Sequence, residues 1–176
     1  IDAYNYAANV KWNNDLFFPH HLLYNFLPFY MIQFVGSFGF QIDALALMKF
    51  LNAVFGALSL LVFYRILIYY KADKTKYFAL VLMAGSSFGF MRFATENETY
   101  IIPIFWSLLS TLYFLKYLKS DSKNAILWSG IFAVTSCLFH QIHILWYAGL
   151  LIGIIYSCSR HTAAARLLYS IQTGSL

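Results

Sequence analysis

Residues 44–70, ALALMKFLNAVFGALSLLVFYRILIYY, carry only two charged side chains, Lys49 and Arg65. About 20 apolar residues in a helix cross roughly 30 Å of hydrocarbon, so this run is long enough to span a bilayer and to tilt within it. Similar runs recur along the chain. The whole sequence is 61% hydrophobic and 11% charged, whereas a soluble domain averages about 25% charged residues. Too few charges remain to cover a water-facing surface. The expected fold class is therefore all-α, a polytopic helical bundle in a lipid bilayer.

The breaks between runs set the expected spans. After 44–70 comes the basic loop KADKTK, then 77–94, then a short charged stretch, then 99–118 and the loop KSDSK. Residues 125–158 as one helix would extend about 51 Å, well beyond a bilayer core. The sequence HQIH at 140–143 divides them into two short spans, 125–139 and 144–158, joined by a tight turn. With that division Lys71, Lys74, Lys76, Lys116, Lys119, Lys123, Arg160 and Arg166 all fall on one side, which the positive-inside bias makes cytoplasmic. The net charge of +5 thus follows from topology, and nucleic acid is not expected as a partner. Cys137 and Cys158 lie in apolar runs and read as small hydrophobes.

Residues 1–43 form an expected external loop with juxtamembrane helices, ahead of a transmembrane bundle over 44–176. DAYNYAANVKW suits a short helix, and Pro19 suits the first turn of a second running through HHLLYNFLPFYMIQFV. The aromatics Tyr24, Phe26, Phe29, Tyr30 and Phe34 fit the headgroup zone. The first residue is Ile1 and the opening already reads as a loop, so a piece of a longer chain is expected.

Ionisable groups beside hydrocarbon are costly and are functional candidates by default. On the non-cytoplasmic side they are Asp2, Asp15, Asp43, Glu96, Glu98, His20, His21, His140 and His143. In RFATENETYIIP, residues 92–103, Arg92 and Glu96 have i, i+4 spacing for an ion pair, and Thr95 with Glu98 fits a capping box. Pro103 favours a later helix start. Asn97-Glu98-Thr99 matches a glycosylation acceptor pattern, but against the membrane it is discounted. His140 and His143 have i, i+3 spacing, weak evidence for a metal site without a third ligand. Lys49, more than a turn inside its span, either snorkels, pairs with Asp43 or holds an anion.

The order of features resembles the N-terminal part of the GT-C class of polyprenyl-phosphate-sugar-dependent glycosyltransferases, in the protein O-mannosyltransferase and aminoarabinose transferase branches. The elements are an acidic residue in the first external loop (IDAYNYAANV), a hPPLYY-like helix start (FPHHLLYNFLPF), a glycine link into a span with a basic residue (VGSFGFQIDALALMKFLNAVFG), FMRFATENETY, and SGIFAVTSCLFHQIH. The resemblance implies one span before Ile1, several after Leu176, and an active face turned away from the cytosol. It implies Asp2 as the catalytic base. Arg92, Lys49 and His140 are the candidates for the donor phosphate, the positive charge a leaving phosphate needs. Glu96, Glu98, His20, His21 and His143 are candidates for sugar or acceptor hydroxyls.

Its partners would be a polyprenyl-phosphate-linked sugar, the lipid bilayer, and a glycan, lipid or protein acceptor. No cofactor is required by the pattern. A divalent ion on Asp2, Glu96 and Glu98 remains open, because metal use varies across the class and the second motif here is Glu-x-Glu. Two other function classes compete. A secondary transporter would use outer-face carboxylates and histidines as an ion pathway. A non-catalytic assembly or sensor subunit would use the polar loops to bind a partner.

Overall fold

The computed structural model describes the backbone of residues 2–70 and 73–173, with side chains described for 3–70, 73, 75–157 and 159. The fold is all-α. In chain order the helices are α1 (Asp2–Trp12), α2 (Phe26–Gly36), α3 (Ala44–Tyr69), α4 (Lys74–Ser86), α5 (Phe88–Thr95), α6 (Ile101–Ser120), α7 (Lys123–Phe139) and α8 (Ile144–Thr173). A 3₁₀ turn, Gln141–His143, links the last two. Among the described residues two helices, α3 and α6, are long and apolar enough to cross a membrane, and α4 with α5 makes a third if the bent pair counts as one.

Helix ends follow local chemistry. The Asp43 carboxylate accepts the Ala46 N–H at 2.8 Å and caps α3, and Lys49 pairs with Glu96 instead. Asp73 caps α4 by accepting from Thr75 N–H at 3.2 Å. Asp121 closes α6 in a left-handed conformation, φ 49°, one that short polar side chains tolerate. Pro28 and Pro103 each sit third in their helices, where the missing N–H has no intrahelical acceptor to lose.

Three expectations change. The helix expected to open at Pro19 opens at Phe26, because residues 18–21 form a turn closed by an isolated bridge between Phe18 and His21. Residues 77–94 are not one straight helix: α4 and α5 meet at Ser87 with a bend of 61°. The Ser87 hydroxyl donates back to the Ala84 carbonyl at 2.8 Å, and Ser87 itself is extended. Thr95 is the last residue of α5 and donates to the Met91 carbonyl at 2.9 Å, so no capping box forms with Glu98.

Small residues set the helix packing. Ser110 donates to the Ser129 carbonyl at 2.7 Å, and Ser129 returns a bond to the Ser110 carbonyl at 2.9 Å. These reciprocal bonds bring α6 and α7 close along a serine seam, as small polar residues do between apolar helices. Gly56 of α3 faces α5, and a Cβ there would lie 2.9 Å from the Ala94 Cβ. Gly56→Val is expected to cost about 1–3 kcal/mol by overpacking, measured as thermal unfolding in nanodiscs. Gly130→Ala, where nothing lies within 4 Å, should leave the transition in place.

The bundle has two chemically different ends. Lys119 lies over the Tyr69 ring at 5.2 Å, which puts the C-termini of α3 and α6 together. Lys76 and Lys123 lie near the adjoining starts of α4 and α7. At the opposite end Ala7 and Val10 of α1, Tyr24, Ala44 and Met48 of α3, Ile102 of α6 and Phe139 of α7 form one buried cluster. That cluster is the platform for the candidate site.

Candidate functional site

The site rests on three buried polar side chains. Asn52 is fully buried, and Asn97 and Tyr24 are each 1% exposed. The Asn52 amide donates to the Glu96 and Glu98 carbonyls at 2.7 and 2.8 Å. Tyr24 donates its hydroxyl proton to Asn97 Oδ1 at 2.6 Å, and the Asn97 amide donates to the Ala3 carbonyl at 2.6 Å. One network therefore ties the α5–α6 loop to α3, to the segment before α2 and to the first turn of α1. Burial pushes the Tyr24 hydroxyl well above its ordinary range, so it remains a donor. Buried polar groups hold position when their partners are present.

The network fixes the carboxylates. Glu96 Oε2 lies 2.7 Å from Lys49 Nζ. This replaces the Arg92–Glu96 pair expected from spacing, because Glu96 has already left the helix in an extended conformation. The Lys49–Glu96 pair is about half exposed, and such pairs are worth little to stability. Its effect is on charge: Lys49 is partly neutralised. Arg92 is exposed and has no carboxylate partner among the described residues. Asp2 belongs to α1, which Asn97 holds at Ala3; its side chain lies outside the described residues. Asn97, the residue of the acceptor pattern, is enclosed on both sides of its amide and offers no nitrogen for a glycan.

No protein-family model, curated protein or solved structure matches the chain.

The histidines meet beside this network, brought together by backbone. Leu23 N–H donates to the Leu138 carbonyl at 3.0 Å, and Gln141 N–H donates to the His20 carbonyl at 3.1 Å. These bonds press the 18–23 segment against the α7–α8 junction. His21 and His140 rings stand edge to face with centroids 4.4 Å apart. His20 Nδ1 lies 2.7 Å from Gln141 Oε1, and His143 Nδ1 lies 2.7 Å from Ser107 Oγ. Burial lowers the pKa of His21, and burial together with the neighbouring histidines brings His140 down to about 4. At neutral pH His140 thus offers an N–H to a ligand and no charge.

Tyr6 touches both groups, with ring centroids 5.8 Å from His21 and 5.4 Å from Tyr24. The two polar groups therefore share one end of the bundle. Among the described residues no three His, Cys, Asp or Glu side chains converge as a metal set. Sequence reasoning put Tyr24 in the headgroup zone, whereas it is buried in the protein, and it missed Asn52, Ser107 and Ser136. The signal for Asn52 was an amide inside an apolar run, a group that must find partners in the interior.

Proposed function

We propose that this chain is part of a multi-pass membrane glycosyltransferase that moves a sugar from a polyprenyl-phosphate donor to an acceptor hydroxyl on the non-cytoplasmic face. The observation that carries this reading is the Tyr24–Asn97–Asn52 network. It gathers the α1 turn beside Asp2, the Glu96–Glu98 loop and Lys49 at the end of the bundle away from Lys76, Lys119 and Lys123. A lipid-phosphate donor accounts for a reaction site placed at the edge of apolar spans. Phosphate is a competent leaving group, so the protein's tasks are a base for the hydroxyl and positive charge for the departing oxyanion.

Arg92 has no carboxylate partner among the described residues and is the candidate for that charge, since its planar fork matches a phosphate. Lys49 is shared with Glu96 and contributes less; His140 donates a hydrogen bond. A photoreactive polyprenyl-phosphate sugar should crosslink to the wild-type protein in nanodiscs. Arg92→Ala should weaken crosslinking by about tenfold or more, the worth of a charge-assisted contact, and Lys49→Ala by clearly less. Equal losses would place the phosphate elsewhere, and no crosslinking in the wild type would favour a transporter or an assembly subunit. The transporter has one feature on its side, the interrupted α4–α5 pair. Yet the bend at Ser87 is followed by exposed, apolar Phe88 and Met91, which give an ion no ligands.

A further inference from the structure

Along α1, Asn5 and Asn9 stand at the i, i+4 spacing that places side chains on one helix face. With Tyr6, Ala8 and Phe18 they line a recess of about 460 Å³, within the range of small-ligand pockets. The side chain of neither asparagine is hydrogen-bonded to another described residue. Each amide therefore offers two N–H donors and a carbonyl oxygen to whatever enters. Ala8 adds only a methyl group, and Phe18, 38% exposed, adds an aromatic wall. Among the described residues, none that lines the recess is charged.

The walls are held before any ligand arrives. The far side of α1 is buried through Ala7 and Val10, and the Asn97 amide donates to the Ala3 carbonyl at 2.6 Å. Phe18 is fixed by its bridge to His21, whose N–H donates to the Phe18 carbonyl at 2.9 Å. The Tyr6 ring stands edge to face with both Phe18 and Tyr24, at centroid distances of 6.4 and 5.4 Å. Binding then has little left to order, which lowers its entropic cost.

We propose that this recess is a subsite for a neutral saccharide, the acceptor of the transferred sugar. A sugar ring carries hydroxyls around its rim and C–H groups on its faces. A hydroxyl both donates and accepts, as does a primary amide, so two amides on one helix face match neighbouring hydroxyls. The aromatic wall takes the C–H face out of water. An anion entering here would give up its water with no cation in the lining to replace it. Position supports the acceptor role. Asp2, Asn5 and Asn9 follow one another at i, i+3 and i+7, one side of α1, and about 10 Å of helix rise separates the first from the last. A saccharide lying along the recess thus reaches the turn that carries the proposed base. The acceptor role rests on the proposed function; the saccharide recess does not.

The test uses the full chain in nanodiscs and saturation-transfer NMR with two neutral trisaccharides, mannotriose and triacetylchitotriose, beside trigalacturonate and a peptide rich in serine and threonine. At least one neutral trisaccharide should show transfer at millimolar concentration, and the charged sugar and the peptide should not. Asn5→Ala combined with Asn9→Ala should weaken that binding about tenfold, the worth of two neutral hydrogen bonds. It should raise the acceptor KM more than it lowers kcat and leave donor crosslinking unchanged. Neither amide is bonded to a described residue, so thermal unfolding of the double variant should not come earlier. Transfer to neither trisaccharide, equal transfer to the peptide or the charged sugar, or binding indifferent to the double substitution would overturn the subsite. Absence of donor crosslinking with trisaccharide binding as expected would count against the glycosyltransferase and leave the saccharide recess standing; crosslinking without trisaccharide binding would do the reverse.

Discussion

Asn97→Ala is expected to destabilise the protein by about 2–4 kcal/mol, a large effect for one side chain in a loop. Asn97 Oδ1 accepts from Tyr24, its amide donates to the Ala3 carbonyl, and it touches Met48 Sδ at 3.6 Å. Alanine strands a buried hydroxyl proton and a carbonyl, and each such group costs about 1–3 kcal/mol. Tyr24→Phe should cost less, because it removes the proton that needs a partner as well as the bond. Combining it with Asn97→Ala should recover part of the loss, since neighbouring sites are not additive. Chemical denaturation in detergent, followed by tryptophan fluorescence, reads the series. A change below 1 kcal/mol for Asn97→Ala would mean that the network is not what holds the α5–α6 loop.

The parts legible in the sequence were those carried by periodicity and composition. The apolar runs over 44–70 and 99–118 correspond to α3 and α6, and HQIH marks a helix break because α7 stops at Phe139 and α8 starts at Ile144. Partner choice was not legible. Helical spacing paired Arg92 with Glu96, a rule that holds only while both residues are helical; Glu96 is extended and turns to Lys49. Spacing likewise put His140 and His143 on one helical face, whereas His140 is extended and His143 lies in the 3₁₀ turn. The serine chain behind His143 joins residues from two helices and was invisible without the α6–α7 packing. Ser107 and Ser110 on α6, with Ser129 and Ser136 on α7, did carry a hint, because small residues at helical spacing mark close helix contacts.

Asp2→Asn is expected to lower sugar transfer by about 10²–10⁴-fold, the usual contribution of a general base, while donor crosslinking stays near the wild-type level. In the proposed transfer the acceptor hydroxyl must lose its proton as it attacks the anomeric carbon, and the departing phosphate carries away the bonding electrons. Among the acidic groups at this end, Glu96 is held by Lys49 and so is poorly placed as a proton acceptor. Asp2 belongs to the helix that Ala7 and Val10 bury in the core and that Asn97 fixes at Ala3. Asparagine keeps the size of the side chain and removes its basicity, so the fold and the phosphate contact should persist. Glu98→Gln is the control, with an expected loss of less than about tenfold if it only binds a hydroxyl. Transfer measured with a soluble acceptor, alongside crosslinking on the same preparation, separates the two roles. If Glu98→Gln rather than Asp2→Asn abolishes transfer with crosslinking intact, the base lies in the α5–α6 loop, and α1 serves only to close the site.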